Sequence, residues 1–138
     1  MKLERIEIPF VFEVTNDTGV KCLIDASQEI GGKNKGFRPM ELLAASLAGC
    51  ISIDVLNILK KQRKVPKNFS VDIQTKRKTA ELAPFELITL EFALEHDRDE
   101  ENFRKIAALV LEKYCSVAAS LNDEIRIELK FKKIDHGK

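Results

Sequence analysis

The 138-residue chain contains three cysteines, and their thiols are the side chains best suited to chemistry. Cys50 lies in an apolar stretch, with Ser46 four residues before it and Asp54 four residues after it. On a helix this spacing aligns the three residues in one row. A thiol at the border of a polar row and an apolar face is accessible both to an oxidant and to a hydrophobic substrate. Inert packing is the alternative for Cys50.

The other two cysteines have different surroundings. Cys115 follows Tyr114 and precedes a run of small residues, which is equally compatible with reactivity and with core packing. Cys22 alternates with apolar strand positions, which indicates inert burial. A reactive thiol also needs a nearby cation that favours the thiolate, and the sequence does not identify one.

No other catalytic or metal-binding pattern is evident. His96 and His136 have no partner at the spacing of metal ligands or of a catalytic triad. The chain has no CxxC, no HExxH and no phosphate-binding glycine loop.

Residues 39–64 must position Cys50, and their composition predicts one long helix. The stretch is apolar nearly all round, so we expect neighbours to cover it on every side. Its small residues would let another backbone approach closely. A membrane span is the alternative interpretation, but Glu41, Asp54 and Asn57 argue against it.

Alternating apolar residues predict strands on both sides of this helix. The predicted strands are 6–14, 20–24, 69–73, 88–94 and 125–131, with a second helix over 103–113 that extends towards 121. The order is β-β-α-β-β-α-β, which defines an α+β fold with mainly antiparallel sheet. The length predicts a single domain, 1–138.

Charge and cysteine content limit the partners and the compartment. Lys and Arg number 23 against 22 Asp and Glu, so there is no electrostatic footprint for nucleic acid or an anionic membrane. The charged N-terminus does not resemble a secretory signal peptide. An odd number of cysteines favours a reducing compartment, and we expect the cytoplasm.

Two segments resemble the OsmC/Ohr family of osmotically inducible and organic hydroperoxide resistance proteins. The first comprises PMELLAA at 39–45, AGC at 48–50, DV at 54–55 and ILKK at 58–61, and the second is KYCSV at 113–117. The predicted element order also matches from 6 to 134. The resemblance implies an OsmC-like fold, a tightly intertwined homodimer with two central helices packed together, and sites at the interface.

The resemblance also implies an activity, a thiol-dependent peroxidase that reduces organic hydroperoxides. Cys50 would attack the peroxide and become a sulfenic acid, and Cys115 would condense with it to a disulfide. A thiol or dithiol reductant would reopen that disulfide. No metal or organic cofactor is implied.

The chain departs from the peroxidase branches of that family next to the helix proline. The acid expected directly after the proline is replaced by Met40, and Glu41 follows one residue later. Arg38 and Arg5 are candidates for the arginine that would activate the thiol. Two alternatives therefore remain open: a non-catalytic dimeric redox sensor or hydrophobic-ligand-binding protein, and a stable dimer whose cysteines only pack.

Overall fold

A computed structural model describes residues 1–95 and 99–134, so His96 and His136 lie outside the described residues. The chain forms two compact units, 1–43 and 44–138. The strands are β1 Lys2–Glu7, β2 Val11–Thr15, β3 Lys21–Ile24, β4 Phe69–Arg77, β5 Phe85–Glu95 and β6 Arg126–Ile134. The helices are α1 Pro39–Lys61, α2 Glu100–Lys113 and α3 Ser116–Ser120, and a single 3₁₀ turn covers Gln28–Ile30.

The first unit is built on a three-stranded antiparallel sheet in the order β1-β2-β3. The prediction of one strand over 6–14 is wrong, because the chain turns at residues 8–10 and Ile8-Pro9 is a cis peptide. Arg5 pairs with Phe12 across the resulting hairpin. Apolar alternation continues through this turn, but Pro9 has no N–H to donate to a ladder. The observed order therefore has one more strand than predicted, while the α+β class is confirmed.

This unit has almost no core of its own. Of residues 1–43, all of which the structure describes, only Val11 and Asp25 are buried. Large apolar side chains on its surface include Leu3, Ile6, Ile8, Val20 and Phe37. A sheet with this much apolar surface needs another surface to cover it.

The second unit contains a three-stranded sheet in the order β4-β5-β6. β5 pairs antiparallel with β4 and parallel with β6, so the sheets of the chain are mainly antiparallel, as predicted. Four aromatic rings join this sheet to α2, with Phe92 lying 5.9 Å from Phe69, 5.5 Å from Phe103 and 5.7 Å from Phe131 between centroids. Phe92 is fully buried, so these rings form the centre of the unit's core.

α1 ends three residues before the predicted limit. Arg63 adopts a positive φ of 57°, its N–H donates to the Lys60 carbonyl, and the Lys64 N–H donates to the Leu59 carbonyl. This pair of hydrogen bonds is a Schellman motif, which ends the helix and satisfies carbonyls of its last turn.

α1 is not covered on every side within one chain, in contrast to the prediction. Its buried residues are Ala44, Leu47, Ala48, Ile51, Val55 and Leu59. The opposite face carries Ser46, Ile53 and Asn57, and Ile53 is 69% exposed. By length and composition alone α1 could cross a membrane, although the core helices of many soluble proteins meet the same criterion. Here a third of its most apolar window is buried in the chain.

Candidate functional site

Two of the three thiols meet in the second unit. Cys50 lies in the middle of α1 and is half-buried, whereas Cys115 is only 4% exposed. The side chain of Cys115 interacts with that of Cys50, which raises the pKa of the Cys115 thiol. The structure thus brings together the two cysteines that the resemblance singles out.

A break between two helices places Cys115. The predicted continuation of the second helix into 114–121 is not observed, because α2 ends at Lys113. The N–H groups of Tyr114 and Cys115 both donate to the Val110 carbonyl, which closes the last turn. Cys115 then becomes the N-cap of α3, and its Sγ atom accepts the Ala118 N–H at 3.3 Å. The helix break therefore fixes the thiol in a capping position.

The environment of Cys115 favours its neutral form. Burial raises the pKa of the Cys115 thiol, and the hydrogen bond and charge of Cys50 raise it further. The N–H groups of Ala118 and Val117 act in the opposite direction but do not reverse the shift. The surroundings of Cys115 therefore favour its thiol over its thiolate.

Cys22 lies in the first unit, on β3. It is half-buried rather than fully buried, and its thiol donates to the Leu23 carbonyl at 3.8 Å. The predicted burial of Cys22 is therefore not complete in the single chain, and its lack of reactivity stays a prediction.

Glu41 and Arg38 form the N-terminal cap of α1. The backbone N–H of Arg38 donates to Oε1 of Glu41 at 2.8 Å, as in one half of a capping box. The Arg38 guanidinium donates through Nη2 to Oδ1 of Asn34 at 2.6 Å. Glu41 precedes Cys50 by nine residues on α1, which corresponds to a rise of roughly 13 Å along the helix. A role of either residue in activating Cys50 stays a prediction.

A buried carboxylate, which the sequence analysis missed, organises the loop before α1. Asp25 is 1% exposed and accepts the backbone N–H groups of Ala26, Lys33 and Lys35. Burial alone would raise the pKa of Asp25, but these hydrogen bonds and the charge of Arg38 lower it overall. No local sequence pattern indicates such a residue, since its donors lie in a glycine-rich loop.

Two clefts lie beside the cysteine segment. One, of about 420 Å³, lies between the C-terminal half of α1 and the end of α2, and Asp54, Asn57 and Tyr114 are among its lining residues. The other, of about 310 Å³, is lined by Cys115 together with residues of α2, α3 and β6. The small residues after Cys115, noted in the sequence, form part of this second cleft.

Within residues 1–95 and 99–134, no three His, Cys, Asp or Glu side chains are grouped closely enough to hold a metal ion.

The family model described as OsmC-like protein matches residues 32–130, which is well over half of the chain. The chain therefore belongs to the OsmC-like family, and the resemblance found in the sequence is confirmed. No curated protein matches the chain in sequence.

Solved structures share this fold over nearly their whole length. A hypothetical protein from Aquifex aeolicus is 27% identical with a TM-score of 0.76, and the match covers 97% of this chain and 96% of that one. An organic hydroperoxide resistance protein OsmC from Legionella pneumophila is 16% identical, with a TM-score of 0.70 and coverage of 95% and 93%. The organic hydroperoxide resistance protein OhrB of Bacillus subtilis is 20% identical, with a TM-score of 0.67 and coverage of 95% and 96%.

Proposed function

We propose that this protein is a thiol-dependent peroxidase that reduces organic hydroperoxides. The observation that carries the proposal is the interaction between the Cys50 and Cys115 side chains, through which Cys50 raises the pKa of the Cys115 thiol. Two interacting cysteines can condense to a disulfide once one of them has been oxidised to a sulfenic acid. Membership of the OsmC-like family and the organic hydroperoxide resistance proteins among its structural neighbours support the same chemistry.

Two steps of the reaction take place at the cysteines of the protein, and a third regenerates them. The Cys50 thiolate attacks the distal oxygen of a hydroperoxide, the O–O bond breaks, and the alkoxide leaves and takes up a proton as an alcohol. Cys50 is now a sulfenic acid. The Cys115 sulfur attacks the Cys50 sulfur, water leaves, and a Cys50–Cys115 disulfide remains. Two electrons and two protons from a thiol or dithiol reductant then restore both thiols.

The two cysteines differ in the way that this division of roles requires. Cys50 is half-buried and so remains within reach of a peroxide, whereas Cys115 is buried. Burial raises the pKa of the Cys115 thiol and so disfavours Cys115 as the first nucleophile. We therefore assign the attack to Cys50 and the resolution to Cys115.

We further propose that the working form is a homodimer of single-domain chains, held together in part by the open face of α1. That face carries Ser46, Ile53 and Asn57, and a Cβ atom built on Gly49 would meet no atom within 4 Å. The first unit also exposes several large apolar side chains. A second copy packed on these surfaces would bury them and place Cys50 at the interface. We place this dimer in the cytoplasm, where thiol reductants are available.

One observation favours a second candidate, a stoichiometric redox sensor. The Arg38 guanidinium is engaged by Asn34 and by the Gly36 carbonyl, and Met40 stands where the family acid is expected. A thiol without its activating arginine would react slowly, which suits a sensor better than an enzyme.

The test is non-reducing peptide mass spectrometry after one equivalent of cumene hydroperoxide. We expect a Cys50–Cys115 disulfide with Cys22 left free, followed by continuous peroxide consumption when a dithiol is supplied. A disulfide without turnover would instead support the sensor. Three unmodified thiols would overturn both candidates and leave cysteines that only pack.

A further inference from the structure

A polar stripe on α1 leads from Cys50 into the cleft of about 420 Å³. Cys50, Asp54, Asn57 and Lys61 follow one another at helical spacing, so they lie on one face of α1. Asp54, Asn57 and Lys61 line the cleft. Its other lining residues are Ile58, Leu109 and Tyr114. The stripe therefore connects the half-buried thiol with the cleft.

The cleft also borders the second cysteine. Tyr114, the C-cap residue of α2, lines the cleft and directly precedes Cys115 in the chain. On the side of α1, the lining begins at Asp54, one helical turn after Cys50. A reagent that approaches Cys50 along the cleft therefore passes within one helical turn of the Asp54 carboxylate.

Two of the lining residues carry a charge, Asp54 and Lys61, and they differ in distance from the thiol. Asp54 follows Cys50 by four residues, a rise of about 6 Å along the helix, whereas Lys61 follows it by eleven, a rise of roughly 16 Å. Coulomb energy falls with distance, and charges more than about 10 Å apart are largely screened at 0.1 M salt. The carboxylate therefore dominates the electrostatics near Cys50, and the lysine acts at the far end of the cleft.

The charge of Asp54 is not neutralised by a neighbour. Asp54 is half-buried, and in the part of the chain that the structure describes no cation forms an ion pair with its carboxylate. Partial burial also reduces the screening of a charge by salt. An anionic group on an incoming molecule is therefore repelled at this point of the cleft.

We propose that Asp54 gives Cys50 a preference for uncharged reagents, so that hydroperoxides with a carboxylate near the peroxide group react slowly. The inference rests on the proposed function, because it names the class of hydroperoxide that this site would take. Asp54 forms and breaks no bond in the reaction. It acts on the charge of the incoming molecule and so sets the difference between two competing substrates.

The experiment compares two hydroperoxides of similar shape, cumene hydroperoxide and its derivative with a carboxylate in the para position. Loss of the free Cys50 thiol is followed by quenching with N-ethylmaleimide and peptide mass spectrometry, in the full-length wild type and in Asp54→Asn. We expect the ratio of the neutral to the anionic rate constant to be about fivefold lower in Asp54→Asn, because the repulsion is removed. Equal ratios in the two proteins would overturn the inference.

The use of ratios isolates the effect of charge. Any change in the intrinsic reactivity of the Cys50 sulfur multiplies both rate constants equally and cancels in their ratio. Asp72→Asn is the matched control, since Asp72 is exposed on β4, does not line the cleft and carries the same charge. It should keep the wild-type ratio, and an equal decrease in both variants would refute a local role of Asp54.

Salt provides an independent measurement on the unaltered protein. At 1 M ionic strength the screening length falls to about 3 Å, so the preference of the wild type for the neutral hydroperoxide should become weaker. A preference that does not change with salt would contradict an electrostatic origin.

Failure of the proposed function is separately visible with iodoacetamide and iodoacetate, which alkylate thiols without peroxide chemistry. A Cys50 that reacts with neither hydroperoxide argues against the peroxidase. A lower iodoacetamide to iodoacetate ratio at Cys50 in Asp54→Asn would still support the charge preference. An identical alkylation ratio in the wild type and the variant would refute that preference, whatever the hydroperoxides do.

Discussion

The side chains of Cys115 and Cys50 interact, although Cys50 lies on α1 and Cys115 caps α3. The contact is asymmetric, because Cys115 is buried and Cys50 is half-buried. The more accessible sulfur is the one that we propose attacks the peroxide, and the buried one is the proposed resolving sulfur. This difference in burial leads to predictions that distinguish the roles of the two cysteines.

Substitution of each cysteine should block a different step. Cys50→Ser is expected to abolish peroxide consumption, because it removes the attacking sulfur. Cys115→Ser should still react with one equivalent of peroxide, but Cys50 should stop as a sulfenic acid that dimedone traps. Cys22→Ser is the matched control and should retain turnover. Peroxide consumption by Cys50→Ser at the wild-type rate would contradict the assignment.

The titration of Cys115 should depend on Cys50. Cys50 raises the pKa of Cys115 through a hydrogen bond and its charge, so Cys50→Ala should lower that pKa. The measurement is the pH dependence of Cys115 alkylation by iodoacetamide, followed by peptide mass spectrometry. Cys22→Ala should leave the Cys115 curve unchanged. An unchanged curve in Cys50→Ala would show that the two thiols do not interact.

The raised pKa of the Cys115 thiol should also lower the stability of the protein at alkaline pH. A thiol whose pKa is raised on folding stabilises the native state below its unfolded pKa, about 9.0, and this contribution is lost as the pH rises through the folded value. As the pH rises above 9, the free energy of unfolding of the Cys115→Ala variant should therefore decrease less than that of the wild type.

The exposed face of α1 should control the oligomeric state. Ile53 is 69% exposed in the single chain, and a charge there would be buried without a partner in the proposed dimer. Ile53→Glu is expected to raise the dimer dissociation constant at least about tenfold, as measured by sedimentation equilibrium. Leu82→Glu is the control, since Leu82 is 89% exposed in a turn. Equal dissociation constants would remove this face from the interface.

Asp25 should contribute to stability except in acid. Its pKa is lowered from about 3.8, so the contribution is present above that value and is lost as the pH falls through the folded pKa. Asp25→Asn turns an amide donor towards backbone N–H groups, so the Tm of the variant at pH 7 should be lower than that of the wild type. As the pH falls towards 2, the Tm of the variant should decrease less steeply than the Tm of the wild type. Exposed Asp72→Asn should change Tm little. Thermal melts between pH 2 and 7 give the comparison.

The aromatic core should dominate the stability of the second unit. Phe92 is fully buried, with three phenylalanine rings within 6 Å between centroids. Phe92→Ala is expected to reduce the free energy of unfolding by about 3–5 kcal/mol, through lost transfer energy and a cavity. Leu82→Ala, at an exposed position, should change it by less than about 0.5 kcal/mol. Urea unfolding curves of both variants provide the test.

The sequence by itself determined the elements that depend on local periodicity. The long helix was predicted from residue 39, and alternation predicted β3 to β6, because the side-chain period of a helix or strand is set by its own backbone. The family was also accessible from short motifs around Cys50 and Cys115. Local rules failed at the β1–β2 turn, where apolar alternation continued through Pro9.

Only the tertiary structure decided how distant segments meet. The contact of Cys115 with Cys50 and the parallel pairing of β5 with β6 each join residues far apart in the chain. Such contacts are selected by the total burial and hydrogen bonding of the fold, which no short window of sequence contains. The open face of α1 has the same origin: its composition showed that it should be buried, and the folded chain showed which side is left uncovered.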